Sequence, residues 1–304
     1  MSISDDTRHV PVMKEEVLDL LRAAQGGTFL DCTFGGGGHT LALLEAHQHN
    51  RIVAVDRDPQ AISRGQKRFA AQPRLRLLAG AFSDLPRLVP DERFDGVLAD
   101  LGMSTDQLWA GRGFSFNDTD ALDMRMNPQA GVSAADLLNT LTQSEIARIL
   151  KEGGVGKDAA PVARAIVKAR PITSAAQLAE LVRTTLTAQA HSETHPATVV
   201  FQALRMAVND ERGQLQALLA HMPALVRTGG RFAAICFHSE EDKLVTRSMR
   251  HWEGGGEYSA TWPGASRGRS LGTLITKGAL LPTDAEVASN PSARSARMRC
   301  FEFN

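Results

Sequence analysis

The chain of 304 residues carries equal numbers of acidic and basic side chains, 34 of each, so its net charge neither favours nor excludes a nucleic-acid partner. Its hydrophobic content of 43% and charged content of 22% are typical of a globular protein. The amino terminus lacks the apolar core of a signal peptide, no apolar run approaches the roughly 20 residues of a membrane span, and three widely spaced cysteines disfavour a disulfide framework or a zinc site. These features predict a cytoplasmic protein with no membrane partner and no metal.

The first predicted βα unit contains four consecutive glycines. Residues 30–40 read LDCTFGGGGHT, with a short apolar strand at 29–32 before the glycines and an amphipathic helix at 39–46 after them. A flexible turn is the alternative, but a linker is not expected between two such elements. Strand, glycine loop and helix in this order are typical of cofactor-binding α/β proteins.

The spacing of the glycines disfavours a dinucleotide. The third glycine of G-x-G-x-x-G would fall on Thr40 or Leu41. The spacing Asp31-x-x-x-Gly35-x-Gly37 instead suits a cofactor with an amino group and no phosphate, such as S-adenosylmethionine. The glycines would allow the backbone to approach its amino-acid part and ribose.

The next strands end in candidate site residues. RIVAV at 51–55 ends at Asp56, about 20 residues beyond the first glycines, where an acid can accept both ribose hydroxyls. A helix cap is the alternative for this acid, since Asp58-Pro59 opens a helix. A third strand at 74–78 precedes Phe82, which is placed either beside an adenine ring or in the core.

A fourth strand at 94–99 ends at Asp100, and a long polar loop follows it. Irregular loops of this length in compact domains usually serve a function. The pattern then becomes helical, and several later elements are predicted: helices at 133–141, 143–152, 159–169, 174–189 and 195–222, a strand at 231–236, a helix from a capping-box variant at Ser239–Asp242 to about Trp252, and two strands, 272–276 and 296–303, that can pair.

These motifs together resemble the bacterial 16S ribosomal RNA cytosine-N(4) methyltransferase family. The matching stretches are HVPVM at 9–13, DCTFGGGGHT at 31–40, AVDRDPQAI at 54–62, GAFSDL at 80–85, DLGMSTDQL at 100–108, RGFSF at 112–116, LDMRMNP at 122–128, HPATVVFQALRMAVNDE at 195–211, GGRFAAICFHSEED at 229–242 and NPSARSARMR at 290–299.

The resemblance implies an α/β fold: a Rossmann-like S-adenosylmethionine-dependent methyltransferase sheet of about seven strands with an inserted helical domain. We expect core segments at 1–105 and 197–304, the second with a basic tail, and a helical insert for substrate recognition at 106–196. The implied cofactor is S-adenosylmethionine. The implied substrate is a cytosine in the decoding centre of 16S ribosomal RNA, within the small ribosomal subunit.

The family's cofactor residues are present in this sequence. The resemblance implies that Gly37, Gly38 and His39 line the methionine end of the cofactor. It also implies that Asp56 binds the ribose, Phe82 flanks the adenine, and Asp100 and Gln107 close the site. Asp100 is in addition the candidate catalytic residue, because Asp100-Leu101-Gly102 stands where amino methyltransferases place acceptors for the target amine. A contact with the cofactor alone is the alternative for Asp100.

Departures from the family pattern cluster away from the cofactor residues. They are Cys32 for glycine, Val199 for arginine, Glu240 for leucine, NDTDA at 117–121 for a stretch containing Asp-Gly-Pro, and GGVGKDAAP at 153–161 where the family has Tyr-Gly-Glu-Glu. They keep open a relative that methylates another nucleic-acid amine. A non-catalytic protein that binds S-adenosylmethionine or RNA is a third hypothesis, which the intact Asp100 and glycine loop disfavour.

RNA contacts are expected from basic and aromatic side chains, although a solvated surface role is the alternative for each arginine. The basic candidates are Arg112, Arg125, Arg205, His238, Arg267, Arg269, Lys277, Arg294, Arg297 and Arg299. Phe114 and Phe116 are expected either to stack on bases or to anchor their loop to the core.

Overall fold

The structure is a computed structural model that describes residues 10–108, 111–115, 121–186, 197–254 and 269–304. The chain forms two compact units, Met1–Ser104 with Gly213–Asn304, and Thr105–Arg212. The second unit therefore extends past 196, where the insert was expected to end. Phe116, Arg267 and the ends of two expected helices, 187–189 and 195–196, lie outside the described residues. Within the described ranges, no helix is both long and apolar enough to cross a membrane.

The first unit is built on a seven-stranded sheet. Its strands are β1 Thr28–Asp31, β2 Arg51–Asp56, β3 Leu75–Ala79, β4 Phe94–Asp100, β5 Val226–Cys236, β6 Gly272–Leu274 and β7 Arg297–Phe303. Their order is β3-β2-β1-β4-β5-β7-β6; β1 to β5 are parallel, and β7 pairs antiparallel with both β5 and β6. The expected sheet and the pairing of the last two strands are confirmed.

The central strands are apolar on both faces, as strands covered on both sides must be. In β2 every residue from Ile52 to Asp56 is buried. Helices of this unit are α1 Lys14–Leu20, α2 Gly38–Ala46, α3 Pro59–Arg68, α4 Leu85–Leu88, α11 Glu211–Leu225 (whose first two residues belong to the second unit), α12 Ser239–Gly254 and α13 Asp284–Ser289. Since β2 and β4 flank β1 on opposite sides, the strand order reverses beside β1, where open α/β sheets form their binding crevice.

The second unit is helical throughout its described regular elements. Its helices are α5 Thr105–Leu108, α6 Ala134–Thr140, α7 Gln143–Glu152, α8 Ala159–Lys168, α9 Ala175–Thr185 and α10 Ala197–Val208. Capping boxes at Ser133 and Thr142 start α6 and α7, because each hydroxyl accepts an amide N–H three residues on while the acidic side chain there accepts in return. The helices expected between 133 and 186 are confirmed.

The single helix predicted over 195–222 is wrong. It is two helices, α10 and α11, separated at Asn209-Asp210, and Asp210 adopts a left-handed φ of 45°. The side chain of Asn209 is buried; its Nδ2 donates to Met124 O at 2.7 Å and its Oδ1 accepts from Met126 N at 2.8 Å. These long-range bonds of Asn209, and the left-handed backbone that Asp tolerates at position 210, end a helix that apolar periodicity alone would continue.

The capping box of α12 lies one residue earlier than predicted. His238 N donates to Glu241 Oε2 at 3.3 Å, and Glu241 N donates to His238 Nδ1 at 3.4 Å. The predicted partners, Ser239 and Asp242, do not form the box, because Asp242 is paired with Arg299 on β7. The imidazole of His238 therefore takes the place that a Ser or Thr hydroxyl usually fills.

Candidate active site

Three aspartates mark the carboxyl edge of the sheet. Asp31, Asp56 and Asp100 are the last residues of β1, β2 and β4, and these strands are neighbours. Parallel strands bring their carboxyl ends to the same edge, which is also where the strand order reverses. Gly37, Gly38 and His39 also lie at this edge, because the glycine loop and α2 follow β1 directly.

The shape of the glycine loop is set by its packing against aromatic rings. Gly37 has a left-handed φ of 79°, and a Cβ placed on it would lie 2.9 Å from the ring of Phe34 and 3.0 Å from that of Phe69. A Cβ on Gly38 would lie 3.0 Å from Pro11, so the HVPVM segment, which contains Pro11, packs directly against the glycine loop. The loop's own packing excludes a side chain at Gly37, and one at Gly38 would require Pro11 to shift; the expectation that these glycines admit a cofactor stays a prediction.

Residues of α3 hold the loop from the other side. Arg68 Nη1 donates to Gly36 O at 2.7 Å, and the ring of Phe34 packs edge-on against Phe69, with ring centroids 6.1 Å apart. The same ring lies so close to Gly65 that a Cβ there would be 2.5 Å from it. The position of the loop thus depends on a glycine about 30 residues away in sequence.

We expect Gly65→Ala to lower the free energy of unfolding by about 1–3 kcal/mol, because the added methyl forces the Phe34 ring to move. Chemical denaturation measures the effect. Gly254→Ala is the matched control, since it adds the same methyl in α12 where nothing lies within 4 Å. Equal stability of the two variants would show that the Phe34 contact does not fix the loop.

Asp31 stabilises the loop internally. Its carboxylate is fully buried and accepts hydrogen bonds from Thr40 Oγ1 at 2.7 Å and from Thr33 N at 3.0 Å. Burial raises the pKa of Asp31, and these two donors, together with His39, oppose that rise. Asp31 therefore fixes the start of α2 against the end of β1.

Asp56 connects β2 to the glycine loop. Its Oδ2 accepts from Gly35 N at 2.7 Å and its Oδ1 from Asp58 N at 2.8 Å. The side chain is 7% exposed, and burial raises its pKa to about 6, while the two backbone donors act in the opposite direction. Each carboxylate oxygen can accept a further bond. The ribose role implied for Asp56 is compatible with this geometry and stays a proposal.

The raised pKa of Asp56 predicts a pH dependence of cofactor binding. In the proposed ribose role of Asp56, the ribose hydroxyls donate to the ionised carboxylate, so binding favours the deprotonated form and releases a proton below pH 6. Affinity for S-adenosylmethionine should be constant above about pH 7 and should fall as pH drops through 6, by at most about tenfold per pH unit. Calorimetry from pH 5 to 8 tests this. Asp56→Asn should remove the dependence, and an unchanged profile in that variant would assign it to another group.

His39 and Asp100 carry buried polar atoms that the described protein leaves without hydrogen bonds. His39 Nε2 lies 3.5 Å from Asp100 Oδ2. Both ring nitrogens of His39 and the Oδ1 atom of Asp100 make no hydrogen bond within the described residues. Thr33 Oγ1 accepts from Asp100 N at 2.8 Å, which fixes the end of β4 beside β1. Buried polar atoms of this kind are where a polar ligand is expected.

Phe82 and Gln107 are the other two predicted cofactor residues. Phe82 follows β3, is half-buried and packs against the apolar core of the first unit. Gln107 lies in α5 of the second unit and is buried. The adenine contact of Phe82 and the closing role of Gln107 remain proposals.

Several side chains that were expected to contact RNA form hydrogen bonds or ion pairs within the protein. Arg112 is buried and donates to Arg125 O and Met126 O, and Phe114 is also buried, so both anchor their loop. Other candidates form ion pairs with carboxylates: Arg125 with Asp123, Arg205 with Glu211, His238 with Glu241, and Arg299 with Asp242. The exposed candidates among the described residues are Arg269, Lys277, Arg294 and Arg297.

Sequence reasoning missed Thr33 and Arg68, which hold β4 and the glycine loop in place. Thr33 lies inside the glycine motif, so its position alone could have singled it out. Arg68 carries no sequence signal, because its contact with the loop depends on how α3 packs.

Comparison with known proteins gives one consistent family. The sequence model of the MraW methylase family matches residues 6–304. Proteins described as ribosomal RNA small subunit methyltransferase H are similar over nearly the whole chain: one from Methylobacterium nodulans is 45% identical over 97% of this chain and 90% of its own, and one from Myxococcus xanthus is 44% identical over 98% of both. Among solved structures, TrmN from Thermus thermophilus has a TM-score of 0.44 at 13% identity, covering 96% of this chain and 48% of that one.

The seven-stranded sheet, with its five parallel strands and glycine loop, and a family match that spans both units define an S-adenosylmethionine-dependent methyltransferase. The residues present suit this cofactor, since buried acceptor and ring atoms of Asp100 and His39 stand beside the loop where a charged amino-acid group would need partners. The chain belongs to the MraW methylase family.

Proposed function

We propose that this protein transfers a methyl group to the exocyclic 4-amino group of a cytosine in the decoding centre of 16S ribosomal RNA, in the cytoplasm. Two lines of evidence support the proposal. The relatives are described as methyltransferases of the small-subunit ribosomal RNA. The observation that carries the chemistry is the Asp100 carboxylate, whose buried Oδ1 atom has no hydrogen-bond donor among the described residues.

The main task of the protein in this reaction is to position the target amine and the methyl donor. When bound, S-adenosylmethionine supplies a methyl group already activated on a sulfonium, so no metal is needed. A cytosine amine is a poor nucleophile, because its lone pair is delocalised into the ring. Asp100 Oδ1 can accept a hydrogen bond from that amine and localise the pair, which is electrostatic stabilisation by a fixed group. No strong base is required, because a methylated ammonium loses its proton readily.

The family departures do not require a different target. Within the second unit, a Cβ placed on Gly154 would lie 3.8 Å from Val199 Cγ1, and one on Gly153 would lie 2.2 Å from Ala203. The GGVGKDAAP segment and Val199 therefore face each other, which makes them one coupled change in packing. Cys32 is buried in the core of the first unit, and Glu240 is an exposed partner of Lys243. Residues 117–120 of NDTDA lie outside the described residues.

The charge distribution favours a folded substrate. Net charge is zero, and Arg125, Arg205 and Arg299 are neutralised by carboxylates, so sequence-independent binding to free RNA should be weak at physiological salt. Extracting a base from a stable duplex costs a few kcal/mol. The preferred substrate should therefore present its base within a pre-folded small subunit, with the helical second unit contributing to recognition.

The test is a side-by-side methylation assay on small ribosomal subunits, free 16S RNA and a short hairpin, read by nucleoside mass spectrometry. We expect N4-methylcytidine on assembled or nearly assembled subunits and little on the two free RNAs. Equal or greater activity on the hairpin would contradict recognition of a folded target. Methyl transfer to adenine or to DNA would support the relative with a different amine substrate.

A further inference from the structure

Residues 101–104, which follow β4 in the first unit, include no aromatic side chain that could hold a base. Asp100 is followed by Leu101, which is buried, and by Gly102, which adopts a left-handed φ of 105°. An extruded base needs hydrogen bonds at its edge and also a surface against its face, because it has left its stacking neighbours. Another element of the first unit that passes beside residues 101–104 can supply that face.

Phe237 lies where such a ring is needed. Asp100 is paired with Ile235 across β4 and β5, and Leu101 N donates to Ile235 O at 2.9 Å, so the chain leaving β5 passes beside Gly102. A Cβ placed on Gly102 would lie 3.5 Å from Cδ2 of Phe237. The ring thus covers the glycine two residues after Asp100, and it is half-buried, so part of it remains accessible.

The backbone that carries Phe237 is held rigidly. Glu241 Oε2 accepts from Phe237 N at 2.9 Å and from His238 N at 3.3 Å, and Glu241 is 7% exposed. The next residue, Asp242, forms two hydrogen bonds with Arg299 on β7, at 2.7 and 3.0 Å. The turn from β5 into α12 is therefore fixed to the sheet from both sides, and a ring on such a turn is pre-organised.

We propose that Phe237 is the aromatic platform on which the target cytosine stacks while Asp100 accepts a hydrogen bond from the amine of that cytosine. This inference rests on the proposed function, because it needs a planar base at the carboxyl end of β4. It assigns Phe237 to substrate and not to cofactor: loss of the ring should weaken use of the RNA and leave S-adenosylmethionine binding unchanged.

The experiment compares Phe237→Leu, Phe237→Tyr and Phe303→Leu. Phe303 is a buried ring of β7 near its pairing with Gly272, at the opposite edge of the sheet, so its loss reports the cost of removing a core aromatic. The measurements are kcat/KM for small-subunit methylation at saturating S-adenosylmethionine, the Kd of S-adenosylmethionine by calorimetry, and the thermal midpoint. Phe237→Met, which keeps volume without a ring, replaces the leucine variant if that variant fails to fold.

We expect Phe237→Leu to lower kcat/KM roughly five- to 150-fold with an unchanged cofactor Kd, since one base–aromatic stack is lost. Phe237→Tyr should retain most activity, and Phe303→Leu should affect only the thermal midpoint. Wild-type kcat/KM in Phe237→Leu, a parallel loss of cofactor affinity, or an equal loss in Phe237→Tyr would overturn the platform. A wild-type enzyme that forms no N4-methylcytidine on subunits would instead overturn the proposed function.

Discussion

Asp100→Ala is expected to reduce single-turnover methyl transfer roughly 100- to 1000-fold, a loss of the size seen when one fixed group that stabilises a transition state is removed. The carboxylate ends β4, and its Oδ1 is buried without a hydrogen-bond donor among the described residues. Transfer of labelled methyl with the cofactor saturating measures the chemical step. The Kd of S-adenosylmethionine should change far less than the rate.

Asp95→Ala is the matched control for this variant. Asp95 lies on the same strand at its opposite end, where it accepts from Thr28 N and pairs with Arg227, so its loss tests general damage to β4. Its rate should stay near that of the wild type. If the Asp100→Ala rate recovers fully at high cofactor concentration, Asp100 is a cofactor-binding residue and not a catalytic one.

Asp56→Ala should weaken S-adenosylmethionine binding by about 1–3 kcal/mol, which is roughly five- to 150-fold in Kd. Two causes act together. The ribose hydroxyls lose a charged acceptor, and the amides of Gly35 and Asp58 lose theirs, so the glycine loop loses one of its hydrogen bonds to β2. Calorimetry on the purified protein measures the change.

Asp56→Asn separates these two causes. The amide keeps one acceptor oxygen for the loop but loses the charge, so its Kd should fall between those of the wild type and Asp56→Ala. An unchanged Kd in both variants would remove Asp56 from the cofactor site.

Strands β2 and β4 were predictable because their apolar runs are short and buried, and because a polar residue marks the end of each run. RIVAV at 51–55 and FDGVLA at 94–99 could each be read as a strand ending at an aspartate, and both are strands. The break between α10 and α11 could not be predicted, because it depends on Asn209 bonding to Met124 and Met126 more than 80 residues away. Apolar periodicity carries no information about such long-range bonds.

The residues of the candidate site also fall into those that the sequence predicts and those that only the packing reveals. Asp56 and Asp100 follow from strand ends, since topology brings those ends together. The packing around Gly37 does not follow, because the ring that excludes a side chain there belongs to Phe34, which also rests on Gly65 of another element. Arg112 likewise shows no sequence sign that its guanidinium is bound to backbone carbonyls. Sequence identifies charged and flexible residues, and only packing shows which of them the fold itself uses.

The most direct test of methylation on 16S ribosomal RNA is nucleoside mass spectrometry of that RNA from cells with and without the gene. The proposal predicts N4-methylcytidine in the first sample and its loss in the second. Wild-type protein should restore the nucleoside, and the Asp100→Ala variant should not. An unchanged amount of N4-methylcytidine after removal of the gene, or the loss of a different methylated nucleoside in its place, would contradict the proposed function.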